Sequence, residues 1–157
     1  QSFMSLGIES WFSRENSASL ERKMTMRYEL TKDLETGNAI IDQEHKELFR
    51  AVNQLLDSCH KGQGRAAMEP AIRFLTNYVD QHFTHEEQLQ QMGGYPNRAP
   101  HKVFHEEYKK KLKQIVSGIP AAGPSVADLS NLNMHIALLV NHIRIEDKKV
   151  GTFLKQK

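Results

Sequence analysis

The sequence predicts an all-α fold, an antiparallel up-down-up-down four-helix bundle with an N-terminal arm. Two observations carry that expectation. Four stretches repeat apolar residues at helical spacing, and short breaks rich in Gly and Pro separate them. Strand-like alternation appears nowhere with comparable strength. The arm is expected over residues 1–34 and the bundle over residues 35–157. A chain of 157 residues has a prior of one domain, with a core large enough to stand without disulfides.

The first thirty residues differ in character from the rest. Serines sit among scattered apolar residues, the only tryptophan, Trp11, lies beside Phe12, and Ser17 to Arg27 reads as a short polar helix. Two readings stand. In one, the arm packs over the main domain or is partly disordered; in the other, it is the tail of a neighbouring module, with Ile8, Trp11 and Phe12 as a patch that needs a partner.

The first bundle helix is expected from Asp42 to Cys59, with Asp42 as N-cap and Glu44 near the positive end of the helix dipole. Its inward stripe is Ile41, His45, Leu48, Val52, Leu55 and Cys59. Gly62 and Gly64 mark the stop. The second helix runs from about Ala66 to Met92, ends at Gly93 and Gly94, and turns Met68, Ile72, Leu75, Val79, His82, Glu86 and Leu89 inward. Pro96 and Pro100 punctuate the next turn. A third helix follows from about Pro100 to Val116, with the stripe His101, His105, Tyr108, Leu112 and Ile115. Gly118, Pro120, Gly123 and Pro124 make a loop, after which Ser125 and Asp128 have capping-box spacing. The fourth helix extends to about Phe153, with Leu132, Ile136, Leu139 and His142 inside.

Each helix therefore places at least one histidine in a core-facing row. His82 and Glu86 are four apart, as are His101 and His105, and residues four apart differ by only about 40° in azimuth and about 6 Å along the axis. One such histidine alone reads as a hydrogen-bonded core residue. Four helices supplying them together is costly as pure structure, because an unpaired buried polar group costs ~1–3 kcal/mol and the cost recurs on every helix. A charged Glu in an apolar stripe must likewise be paired or bound to metal. Five imidazoles and two carboxylates exceed what one four-coordinate zinc needs, and they fit two adjacent ions bridged by the carboxylates.

Composition narrows the function classes. Basic and acidic residues, 21 and 19, mix along the chain for a net charge of +2, with no basic block of the kind that reads nucleic acid. No apolar run approaches the ~18 residues of a membrane span, and no signal peptide is apparent. The single cysteine, Cys59, suits a reducing compartment and reads as packing, so a cytoplasmic location is expected.

The runs IDQEHKELF (Ile41 to Phe49), HFTHEE (His82 to Glu87), HKVFH (His101 to His105) and NHIRIED (Asn141 to Asp147) resemble the hemerythrins, and specifically the bacterial hemerythrin-like domains, over roughly Glu35 to Leu154. The resemblance implies two iron ions per chain. His45 and His82 would hold the iron with an open position, and His101, His105 and His142 the saturated one. Glu86 and Asp147 would bridge them beside an oxo or hydroxo group. Dioxygen would bind at the open iron, with nitric oxide or small anions as further ligands there. The apolar side chains near His142, notably Leu139 and Ile143, would line that cofactor pocket and keep it dry.

The resemblance implies a binding protein rather than an enzyme, serving storage, delivery or sensing of dioxygen. A di-iron peroxidase or ferroxidase and a nitric oxide or redox sensor acting through the arm are the alternatives. The low number of anionic ligands favours reversible binding, in contrast to carboxylate-rich sites built on Glu-x-x-His pairs. Three departures from the family pattern stand out: Glu44 where glutamine is common, Leu138 where tryptophan is common, and no tryptophan just before the first helix. His135, seven before His142, is expected to make the access route more polar, and His60 and His85 to lie on the surface. On the fourth helix, spacing and resemblance disagree. Regular geometry favours Glu146, four after His142, whereas five residues rotate about 140° and carry Asp147 off the shared face. The family pattern selects Asp147, which a local π-type widening between Ile143 and Asp147 would bring back. Glu146 is then expected to face solvent, paired with Lys149 or Lys148.

Overall fold

The computed structural model describes residues 27–157. The expected short helix from Ser17 and the Ile8, Trp11 and Phe12 patch lie outside them. A 3-10 turn, Lys32–Leu34, precedes α1 (Ala39–His60), α2 (Arg65–Gly93), α3 (Arg98–Ser117) and α4 (Val126–His142). A five-residue π turn, Ile143–Asp147, then leads into α5 (Lys148–Lys155). The described residues contain no strand, and they form a four-helix bundle in which α4, the π turn and α5 make up the last helix. No described helix is long and apolar enough to cross a membrane.

The start of α1 differs from the sequence expectation. Its N-cap is Asn38, whose side-chain oxygen accepts from the Ile40 and Ile41 N–H groups, both at 3.1 Å. Asp42 lies one turn inside the helix and holds the preceding loop instead. It accepts from the Thr36 N–H and hydroxyl at 2.8 Å each and from the Gly37 N–H at 3.1 Å. At α4 the capping box forms: Ser125 Oγ accepts from the Asp128 N–H at 3.1 Å, and Asp128 accepts from the Ser125 N–H at 2.8 Å. Gly94, at φ 72°, closes α2 in a left-handed turn that suits a residue without Cβ.

The stripes meet in one main apolar cluster. It includes Leu48, Val52 and Leu55 of α1, Met68, Ile72 and Leu75 of α2, Leu112 of α3, and Leu132, Ile136 and Leu139 of α4. A smaller cluster of Ile41, Tyr95 and Val150 packs separately. Residues 27–34 are not detached from the bundle. The Tyr28 N–H donates to Asn53 Oδ1 and the Asn53 amide donates to the Tyr28 carbonyl, both at 2.9 Å, while Leu34 is buried. Asp33 braces the π turn from outside, accepting from Arg144 through its carboxylate and from Lys148 through its carbonyl, each at 3.1 Å.

Candidate metal centre

All seven residues singled out by the sequence are buried, none more than 5 % exposed. Their side chains come from four helices and the π turn. Nitrogen and oxygen atoms of Glu86, His101, His105, His142 and Asp147 lie within 4.8 Å of one another, as do those of His45, His82, Glu86 and Asp147. The two groups share both carboxylates. Asp147 Oδ2 is 3.1 Å from His45 Nε2, while its Oδ1 is 3.1 Å from His101 Nε2 and 3.0 Å from His142 Nε2. Glu86 Oε2 is 3.4 Å from His82 Nε2, and Oε1 is 3.7 Å from His105 Nε2.

Helix geometry explains the aim of each group. His82 and Glu86 are one α-turn apart on regular α2, so their side chains stack on one face. Asp147 is five after His142 and reaches the same point because Ile143–Asp147 adopts the wider turn. Glu146 points outward with its side chain 44 % exposed, and Lys149 donates to it at 3.3 Å.

The donor set fits a cation. His45 Nε2, His82 Nε2, His105 Nε2, Glu86 Oε2 and both Asp147 oxygens are buried without a hydrogen-bond partner, and all face the convergence point. In an apolar core each orphan costs ~1–3 kcal/mol, which a shared positive charge removes. The protonation pattern carries the same message. Burial and the charge of Asp147 push the Glu86 carboxyl up. Burial also opposes the Asp147 charge, but His101, His142 and His45 outweigh it and hold that carboxyl well below the usual range. His101 is opposed by burial, yet Asp147 and Glu86 raise it to about 9. Burial and the charge of His101 drive His105 down to about 2. Burial and neighbouring charges thus pull these groups in opposite directions, a mismatch that a bound cation would relieve.

Behind the cluster lie contacts that the sequence reading did not assign. Glu44 Oε2 is 3.0 Å from His82 Nδ1, and Glu87 Oε1 is 3.0 Å from His105 Nδ1. Each carboxylate accepts the Nδ1–H and leaves Nε2 free for a metal. Gln90 donates to Glu86 Oε1 at 3.2 Å. Phe83 stacks on His105 with ring centres 3.9 Å apart, and Phe104 on His142 at 3.8 Å. The usable signal was adjacency, since Glu44 precedes His45 and Glu87 follows Glu86.

Leu139 and Ile143 are buried in the main apolar cluster, whereas Leu138 is 57 % exposed. His135 does not join the metal-type cluster. Its ring stacks on Tyr108 at 3.9 Å, and its Nε2 meets the Tyr108 carbonyl at 3.0 Å, so it belongs to the packing between α3 and α4. His60 and His85 are exposed, and Cys59 is buried with its thiol pushed up to about 11 by desolvation.

Residues 36–154 match the family model described as the hemerythrin HHE cation binding domain. The chain belongs to the hemerythrin family. It is 32% identical over 115 residues to a bacteriohemerythrin of Pseudomonas aeruginosa (strain LESB58), covering 73% of each chain. To a bacteriohemerythrin of Stenotrophomonas maltophilia (strain R551-3) it is 33% identical over 123 residues, covering 78% of each. A myohemerythrin of Theromyzon tessulatum is 28% identical over 109 residues, 69% of this chain and 78% of that protein. Among solved structures, the crystal structure of a hemerythrin with a Leu-to-Tyr substitution superposes with a TM-score of 0.67 at 29% identity, covering 76% of this chain and 89% of that one. Hemerythrin membership and the buried His, Glu and Asp cluster agree on a cation-binding centre within the bundle.

Proposed function

We propose that this hemerythrin-family chain is a non-heme di-iron protein that binds dioxygen reversibly. The observation that carries the reading is the pair of overlapping donor groups, which share Glu86 and Asp147 and differ in number. Five side chains, His101, His105, His142 and the two carboxylates, would hold one iron, and four, His45, His82 and the same carboxylates, the other. With an oxo or hydroxo group as third bridge, the first ion would have six donors and the second would keep one position open. The bound iron pair supplies the electrons and the open coordination position for dioxygen.

The chain's own residues do the rest. Two carboxylates among seven ligands keep the anionic charge low, and neutral imidazoles stabilise oxidised iron less than further carboxylates. Leu139 and Ile143, buried beside His142, would exclude water from the open side and slow loss of the bound gas. Nitric oxide and small anions would compete for the same position. Cytoplasm is the proposed location, since a lone buried thiol suits a reducing compartment. Residues 1–34 are proposed as an arm to the bundle of residues 35–157, with a signalling module as partner in the sensing reading.

The test is an absorption spectrum of the reduced protein before air, after air and after removal of the gas, with metal analysis alongside. Two irons per chain and a reversible colour are expected. One iron per chain, or zinc at full occupancy, refutes the reading. Irreversible oxidation with turnover of hydrogen peroxide would instead favour the enzyme. A chain starting at Arg27 is expected to keep the spectrum, because every proposed ligand lies between His45 and Asp147.

A further inference from the structure

The two donor groups are not supported alike. On the five-donor side His105 is backed by Glu87. On the four-donor side the His45 Nδ1 is buried without a hydrogen-bond partner, so His82 is the one imidazole there with a carboxylate behind it. That carboxylate, Glu44, comes from α1 and spans to α2, where its second oxygen lies 3.2 Å from Nδ1 of His85. His82 and His85 are three apart on α2 and face the same way, so one carboxylate receives both rings. Glu44 is largely covered, its side chain 15 % exposed, while His85 reaches solvent at 45 %.

We infer that Glu44, clamped by His85, is the positioning residue of the four-donor half of the centre, fixing His82 with Nδ1–H outward and Nε2 toward the metal and biasing that half toward the ferric state. The inference rests on the di-iron reading. A ring held by one hydrogen bond to a flexible side chain can swing about its χ angles. With both Glu44 oxygens engaged, the carboxylate is held in place and the ring with it. A full negative charge accepting the Nδ1–H also makes Nε2 a more basic ligand, which favours the more highly charged metal ion. The His85 ring pairs with Glu44 and with none of the proposed ligands, so it acts through Glu44.

The experiment loads the full chain, Glu44→Ala, Glu44→Gln, His85→Ala, the Glu44→Ala/His85→Ala double variant and Glu87→Ala with iron(II) or cobalt(II). Ions retained per chain are then followed against a competing chelator. Glu44→Ala is expected to release one ion about 10–100-fold more readily while keeping the other. His85→Ala shifts release in the same direction by less, and the double variant is no worse than Glu44→Ala, because the two act in series. Glu87→Ala loosens the other ion. Glu44→Gln keeps the hydrogen bond but not the charge, so it retains both ions and raises the midpoint potential of the iron form. A tenfold loss of ferric preference corresponds to about 59 mV for one electron.

Release from Glu44→Ala equal to that of the parent chain, additive losses in the double variant, or an unmoved potential in Glu44→Gln each overturns the inference. A lowered thermal midpoint of the metal-free Glu44→Gln protein with unchanged potential assigns Glu44 a structural role and overturns it too. If the parent chain takes up a single ion, the di-iron reading falls, and the Glu44 inference is still decided by that ion's release with cobalt(II).

Discussion

Two helices aim a carboxylate at the same point by different means. On α2, Glu86 follows His82 by four residues in an unbroken α-helix, and the alignment costs the backbone nothing beyond ordinary hydrogen bonding. On the last helix, Asp147 follows His142 by five, and the chain widens over Ile143–Asp147 to recover the lost rotation. The regular turn is met from α1 by Glu44, which holds the rings of His82 and His85. The wide turn is met from the segment that precedes the bundle, where Arg144 and Lys148 reach across to Asp33. A side chain can therefore be placed by the helical period or by a local departure from it, and either turn is braced by a neighbouring segment.

The largest expected effect falls on the two shared carboxylates, one on each kind of turn. Asp147→Asn and Glu86→Gln should each drop bound iron from two per chain to one or fewer by elemental analysis. Equal tolerance of both substitutions would remove the carboxylates from the centre.

A smaller effect tests whether the wide turn is itself needed. Deleting exposed Ile145 leaves the aspartate four after His142, matching the pair on α2. Metal should be retained, and the metal-free protein should melt higher, because a π turn is an uncommon local conformation. Loss of metal in that variant would mean that the widened backbone contributes more than register.

His135 supplies a pH-dependent test on the same helix. Burial, opposed by the bond to the Tyr108 carbonyl, lowers its pKa from the ordinary 6.5. A histidine with a depressed folded pKa binds its proton more readily when unfolded. Its contribution is therefore present above about pH 6.5 and is lost as pH falls toward the folded value. The stability difference between the parent chain and His135→Gln, from urea unfolding of the metal-free proteins, should shrink between pH 7.5 and pH 5. The buried metal-type groups are common to both proteins and cancel. A difference that grows on acidification would contradict the placement of His135.

The smallest effects belong to the outward neighbours. Glu146→Gln and Asp33→Ala should leave metal content unchanged, because both side chains sit in solvent, where ion pairs are screened. Metal loss in Glu146→Gln would reverse the assignment on the last helix.

Most of the fold was legible because every helix carries its apolar stripe and its stop signals in the sequence. The beginning of α1 was not. Asp42 and Asn38 are both good caps, and the choice turned on which backbone N–H groups needed an acceptor: those of the helix took Asn38 and those of Thr36 and Gly37 took Asp42. The histidines that converge in the cluster were legible from spacing alone, but Asp147 required the resemblance, since a regular wheel selects Glu146. Glu44 and Glu87 were missed as partners of His82 and His105. Periodicity tells which face of a helix turns inward, not which flank meets the neighbouring helix. His135 shares the azimuth of His142, yet it lies two turns away and meets Tyr108 instead of the carboxylates.

Gly151 on α5 packs so closely on the Thr36 carbonyl that a Cβ would overlap that oxygen, and Thr36 is in turn held by Asp42 at the start of α1. This latch joins the opening and closing helices of the bundle, the same two that deliver His45 and Asp147. Closing so distant a contact carries the entropy of the whole intervening loop, which places it late in folding. The expected consequence is a socket completed near the end of folding, with metal binding a made site. Bound metal should slow the escape from the native state far more than it hastens the approach to it.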